Sequence, residues 1–159
     1  MIHLFLSSAC GILRQRSIRL MIEGGISFYN VFLNGTLLQV LELSLEREEL
    51  LLLLPLDPSE IASLVISKRN EPKDSQNSDV LWGIEVEEGG RLLPPVKPRK
   101  RRLEVIGDSI TSGFGMLSES NDGPSCHLHN AAVQNSWMTY SLLLAHQLKG
   151  GSVRFVSSH

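Results

Sequence analysis

Cysteine is scarce in this chain. Two residues, Cys10 and Cys126, among 159 exclude a disulfide-built scaffold and the paired spacing of a structural zinc site, and they leave the redox compartment open. Long apolar runs are lacking as well. The longest, Leu50 to Leu54, is strand-sized and far below the roughly 18 consecutive residues of a membrane span. No secretory leader is read at Met1 to Gly11, where a short apolar core has no basic residue before it. A start site inside a longer protein gives the same picture, so the compartment is left open: secreted if a leader lies upstream, otherwise cytoplasmic. Charge of one sign is also missing. A net charge of -2 and a pI near 6.2 supply no field for nucleic acid or an anionic membrane, so neither is an expected partner. With 42% hydrophobic and 20% charged residues, the composition is that of a globular protein of one ordinary domain or two small or incomplete ones.

What is present divides near residue 95. Ile18, Leu20 and Ile22 alternate with Arg19 and Met21, and Phe28 to Leu33 is aromatic and β-branched. Asn34-Gly35 follows, the pair that best accepts the positive φ angles of a type I′ hairpin turn, so a β-hairpin is predicted there. Leu50 to Leu54, Leu64 to Ile66 and Val80 to Val86 predict further strands, punctuated by Pro55, Asp57 and Pro58. A helix over Leu41 to Leu53 is the competing reading, because Glu, Leu and Arg are good helix formers; strand is preferred from its neighbours. Glu71 to Ser78 reads as a polar surface turn. Residues 1–95 are thus expected to form an all-β sandwich, with 96–102 a basic, proline-containing linker.

From residue 103 the pattern changes. Leu103 to Ile106 predicts a strand, and Asn135 or Ser136 is placed to cap a helix. Trp137 to Lys149 carries Trp137, Tyr140, Leu144, Ala145 and Leu148 at helical spacing, Gly150-Gly151 stops that helix, and Ser152 to Val156 predicts a second strand. Strand, helix and strand make one parallel βαβ unit, so residues 103–159 are read as the start of an α/β domain.

The chemistry concentrates in Gly107-Asp108-Ser109-Ile110-Thr111-Ser112-Gly113-Phe114-Gly115. A serine just past the carboxyl end of a parallel strand lies where open α/β sheets place their ligands. Gly107 allows a sharp turn, backbone N–H groups after that turn can meet an oxyanion, and Gly113 and Gly115 permit close approach. A serine hydroxyl still needs a base within hydrogen-bond reach to act as nucleophile. On local chemistry alone, the competing reading is a turn in which Asp108 and Ser109 satisfy backbone groups.

The Gly107-Asp108-Ser109-Ile110-Thr111 block, with Gly113 and Gly115 after an apolar strand, resembles the first sequence block of SGNH (GDSL-like) hydrolases. Upstream, Tyr29 to Gly35, Val65 to Glu71, Trp82-Gly83-Ile84 and Gly89 to Pro94 precede it in an order similar to family 2 carbohydrate esterases. The resemblance implies a jelly-roll-like β-sandwich followed by a flavodoxin-like SGNH domain of parallel sheet. It also implies a serine acetyl esterase that deacetylates xylan-like oligo- or polysaccharides without a cofactor. By position, Ser109 becomes the nucleophile and an oxyanion donor through its amide, with Gly107 and Asp108 shaping the turn. The family's later oxyanion glycine, its Gly-x-Asn-Asp block and its Asp-x-x-His block have no counterpart, so the chain is expected to stop before the catalytic histidine. His127, His129, His146 and His159 do not stand at the family's position. An inert carbohydrate-binding or truncated product is the alternative.

Other features are read plainly. Cys126, His127 and His129 offer too few ligands for a metal, Lys97 to Arg102 reads as a solvated linker, and Asn34-Gly35-Thr36 is a glycosylation sequon only in a secreted protein. Trp82 and Tyr29 are expected in the sandwich core, with stacking on a sugar as the alternative.

Overall fold

The computed structural model describes residues 10–13, 17–44, 46–57, 60–71, 79–93, 102–118, 131–148 and 152–157. The architecture is mostly antiparallel β-sheet with one short α-helix. In chain order the strands are β1 (Cys10–Leu13), β2 (Ser17–Glu23), β3 (Ser27–Leu33), β4 (Thr36–Leu43), β5 (Arg47–Leu53), β6 (Ile61–Lys68), β7 (Val80–Val86), β8 (Arg91–Leu93), β9 (Arg102–Gly107) and β10 (Ser152–Ser157). Helix α1 (Tyr140–Gln147) stands between the last two strands in sequence. The chain divides into two compact units, Met1–Ser67 with Pro72–Val96, and Lys68–Glu71 with Lys97–His159.

The first unit contains two sheets, ordered β4-β3-β6-β1-β8 and β5-β2-β7. Strands β2 and β5 pair antiparallel in unbroken register from Ser17↔Leu53 to Glu23↔Arg47. This alternation sends Ile18, Leu20, Ile22 and Leu52 inward to meet Tyr29, Val31, Leu33, Leu41, Leu43, Ala62 and Leu64 of the other sheet in one apolar core. Arg47 to Leu53 is strand, as preferred over the helix, because a half-buried ladder beside β2 gives every second leucine a core partner. The hairpin between β3 and β4 forms where Asn34-Gly35 predicts it, with φ of 51° and 83° and Leu33 opposite Thr36. The Asn34 side chain also accepts from the Ser63 amide at 2.9 Å, which ties the hairpin tip to β6.

One buried polar cluster fastens the start of β3. Asp79 accepts from the Tyr29 hydroxyl at 2.5 Å and from Ser27 Oγ and the Gly25 amide at 3.1 Å each. Burial and the adjacent carboxylate push the Tyr29 phenol well above its usual range, so it remains a donor. Tyr29 is therefore core, as expected, whereas Trp82 is not. Its ring is 57% exposed, pinned by a 2.9 Å bond from Nε1 to Glu23 and covered on one face by the Arg47 guanidinium at 5.2 Å. Met21 and Ile22 of β2 face Gly83 and Leu81, so Trp82 is the extra, unpaired residue of a bulge on β7, and the simple alternation that placed it inside is broken there.

In the second unit β9 and β10 pair in parallel, Arg102 to Gly107 beside Ser152 to Ser157. The predicted helix is shorter than expected. Asn135 Oδ1 accepts from the Trp137 amide at 3.2 Å and so caps a 3-10 turn, Ser136–Met138, while α1 begins only after extended Thr139. The face it buries also differs from the apolar spacing. Ser141 and Ala145 are buried, whereas Tyr140, Leu143, Leu144 and Leu148 are exposed. The Gly150-Gly151 stop, the linker at 94–101 and the loop carrying Cys126, His127 and His129 lie outside the described residues, as does His159.

Candidate active site

Strand β9 ends at Gly107, and the chain turns at once. Asp108 Oδ1 accepts from the Ile110 amide at 3.0 Å, an Asx turn that closes the first bend. Successive backbone bonds then coil the segment: Ser112 N–H to Asp108 O at 3.2 Å, Gly113 N–H to Ile110 O at 3.1 Å and Phe114 N–H to Ser109 O at 2.9 Å. Ser109 sits half-buried on this coil at the carboxyl end of a strand with a parallel neighbour. Among the described residues, its hydroxyl and its amide form no hydrogen bond.

Two glycines are needed here for reasons the geometry makes explicit. A Cβ on Gly107 would stand 2.2 Å from Thr111 Oγ1 and 2.7 Å from Thr111 Cβ. The buried Thr111 fills the space that a side chain on Gly107 would occupy, and its hydroxyl receives a 3.3 Å bond from the Tyr140 phenol. Gly113 adopts φ of +99°, and a Cβ there would meet the Asn135 carbonyl at 2.6 Å. That closeness lets Gly113 O accept from the Asn135 amide at 3.0 Å, while Leu117 N–H donates to Val133 O at 2.9 Å. The serine turn and residues 131–136 are thus laced together along their backbones.

A third segment joins them, ending at Glu71, the first residue of the expected surface turn whose remainder, 72–78, lies outside the described residues. Lys68–Glu71, the continuation of β6, belongs to this unit. Ser136 donates through its amide to Arg69 O at 2.9 Å and through Oγ to Lys68 O at 2.6 Å. Arg69 Nη2 reaches Ala132 O at 3.4 Å, and burial lowers the guanidinium's pKa from its ordinary value. The Glu71 amide donates to the buried Gln134 Oε1 at 3.0 Å. The Glu71 carboxylate accepts from the Ser112 hydroxyl, which also lies 2.9 Å from the Ser109 carbonyl oxygen. Glu71 is half-buried within this network, so its reading as part of a solvated turn is corrected.

Gly107, Asp108 and Ser109 therefore share one tight turn, and no histidine is within hydrogen-bond reach of Ser109 among the described residues. His146 sets its ring edge-on to Trp137, with centroids 4.9 Å apart. No cluster of His, Cys, Asp or Glu suited to a metal ion occurs among the described residues. The arrangement can present a hydroxyl and a backbone donor to a ligand, but a base must be added before the hydroxyl can attack.

No protein-family model matches the sequence, and no curated protein matches it. Solved structures do. A family two carbohydrate esterase from Clostridium thermocellum, in complex with cellohexaose, superposes with a TM-score of 0.79 at 23% identity, over 96% of this chain and 46% of that one. An acetyl xylan esterase, Est2A, from Butyrivibrio proteoclasticus gives 0.75 at 17% identity over 96% and 40%. The salicylyl-acyltransferase SsfX3 of a tetracycline biosynthetic pathway gives 0.63 at 16% identity over 93% and 38%. The chain thus resembles family 2 carbohydrate esterases in fold and spans under half the length of the structures it matches.

Proposed function

We propose that this chain is the nucleophile-bearing part of a carboxylic ester hydrolase that deacetylates an acetylated, xylan-like oligo- or polysaccharide. In this reading residues 1–95 are a jelly-roll-like sandwich, 96–102 a linker and 103–159 the first part of an SGNH-type domain. Ser109 Oγ attacks the acetyl carbonyl carbon and yields its proton to a histidine supplied by a later part of the fold. The Ser109 amide donates to the tetrahedral oxyanion, the sugar oxygen leaves with the proton, and water then hydrolyses the acetyl-serine. No cofactor is required, and neither nucleic acid nor membrane takes part. The single observation that carries the reading is a half-buried serine on an Asx-closed turn at the carboxyl end of β9. The carbohydrate esterases with this fold support the substrate class.

The test is hydrolysis of p-nitrophenyl acetate and acetylated xylooligosaccharides by the full-length enzyme, with the histidine-bearing part of the fold, and by its Ser109→Ala variant. A loss of about 1,000-fold or more is expected, as for removal of a nucleophile. Equal rates would reject the assignment.

A second reading, an inert carbohydrate-binding module, is favoured by Trp82. Its exposed ring is held by Glu23 and Arg47 in a fixed orientation suited to stacking on a pyranose. Calorimetry against xylo- and mannooligosaccharides separates the two, since this reading requires binding heat that Trp82→Ala abolishes and no ester hydrolysis.

A further inference from the structure

We propose that Glu71 is a positioning residue for Ser109, acting through the Ser112 hydroxyl; the inference rests on the esterase reading above and deepens it. Glu71 does not behave as a surface carboxylate. Its amide is held by buried Gln134 at 3.0 Å, and Arg69 O, two residues before it, is held by the Ser136 amide at 2.9 Å. Its own carbonyl accepts from Asn70 Nδ2 at 3.1 Å. With the backbone fixed on both sides, the carboxylate is directed at Ser112, whose hydroxyl donates to it.

Ser112 is one step from the nucleophile. Its oxygen lies 2.9 Å from the Ser109 carbonyl oxygen, which also accepts from the Phe114 amide at 2.9 Å. The Phe114 bond sets the peptide plane that follows Ser109, and the Ser112 amide, which donates to Asp108 O at 3.2 Å, makes Ser112 part of the coil that carries Ser109, so a carboxylate holding the Ser112 proton anchors that coil. A hydroxyl has one proton and a carboxylate only accepts, so Glu71 determines how the Ser112 rotor is oriented beside that plane. Asp108 closes the turn from its own side through the Ile110 amide. Glu71 closes it from a segment 37 or more residues earlier in the chain, which local turn chemistry does not require.

The experiment compares Glu71→Ala, Glu71→Gln, Ser112→Ala and the Glu71→Ala/Ser112→Ala double variant in the full-length enzyme, which supplies the histidine, with Ser109→Ala as control. Glu71→Ala and Ser112→Ala should each lower kcat for p-nitrophenyl acetate by about 10- to 100-fold with KM within about twofold, as expected when a reacting group is misplaced. The double variant should fall no further than either single, because both break one path. Glu71→Gln keeps an acceptor oxygen and should recover to within about threefold of wild type. A merely structural role would lower the melting temperature in parallel with kcat and would not produce this rescue. Wild-type kcat in Glu71→Ala, or independent effects of the two single variants, overturns the proposal. If Ser109→Ala is as active as wild type, or no form hydrolyses ester, the esterase reading is what fails. Amide exchange at Gly113 and Phe114 then reads the turn directly: Glu71→Ala should accelerate it about tenfold and Glu71→Gln should not, and unchanged exchange overturns the link to Ser112.

Discussion

The described interiors of the two units of this chain differ in kind. In the first, nearly every fully buried side chain is apolar, with Ile18, Leu20, Val31 and Leu52 from two sheets meeting in one core. In the second, among the described side chains, which do not include those of β10, the buried ones are Arg69, Asn70, Thr111, Gln134, Asn135, Ser136, Thr139, Ser141 and Ala145. Ile106 and Ile110 are 72% and 70% exposed, while Leu103, Val105, Phe114, Trp137 and Leu142 are half-buried. Apolar burial is non-directional and tolerates imprecision, whereas a buried hydroxyl or amide must meet its partner at a defined distance. Thr139 illustrates the second regime: fully buried, its Oγ1 donates to Ser136 O at 2.8 Å and lies 3.0 Å from Ser141 Oγ. The described hydrogen-bonded interior lies in the unit that carries Ser109, and directed bonds of this kind fix the positions of the segments they join.

The sharpest way to break this contrast is to remove the same leucine side chain from each unit. Leu52→Ala empties a fully buried position between the sheets and should cost about 2–5 kcal/mol. Leu144→Ala on α1 removes an exposed side chain and should stay within about 0.5 kcal/mol. Denaturant unfolding of both variants checks this, and comparable losses would show that the two interiors are not organised differently.

A smaller effect is expected at the serine turn. Gly113→Ala introduces a Cβ 2.6 Å from the Asn135 carbonyl at φ of +99°, so both sterics and backbone conformation oppose it. Overpacking against backbone that cannot yield costs about 1–3 kcal/mol. Trp137, two residues beyond Asn135, supplies the fluorescence probe for that unit. Full retention of stability would mean that the lacing of 113 to 135 does not hold the turn.

The contrast also explains how much was legible in the amino-acid sequence. The hairpin at Asn34-Gly35 and the strands β2, β3, β5 and β7 announce themselves, because a period of two and a turn dipeptide are local signals. The position of Ser109 after β9 is legible for the same reason. Trp82 was misplaced because it is the unpaired residue of a bulge on β7, and the apolar-polar alternation of Val80 to Val86 does not mark where the ladder skips a residue. Of the residues at helical spacing on α1, Ala145 is buried while Tyr140, Leu144 and Leu148 are exposed, and Thr139 and Ser141, which give no apolar signal, pack inside by hydrogen bonding. Glu71 was missed for a stronger reason. Its partners Ser112 and Gln134 are 41 and 63 residues away, and a polar stretch rich in turn formers gives no sign that one of its carboxylates is held by distant residues.

The smallest expected effect lies on the surface of the apolar unit and tests the contrast from its other side. Between β4 and β5, Glu48 Oε1 accepts from the Ser44 hydroxyl and from the Ser44 amide at 2.6 Å, and these bonds hold its carboxyl below the usual glutamate range. A folded-state pKa below the unfolded one means that the carboxylate favours the fold above the unfolded pKa. That contribution is lost as pH falls through the lower, folded value. Ser44→Ala removes the hydroxyl donor, so the Glu48 midpoint, followed by NMR titration, should move up towards its ordinary position. Solvent screening at this partly exposed carboxylate keeps the energetic consequence small, and stability at neutral pH should change by less than about 0.5 kcal/mol. A larger loss at neutral pH would mean that directed polar bonds carry weight in the sandwich too, and the division between an apolar unit and a hydrogen-bonded one would then be a difference of degree.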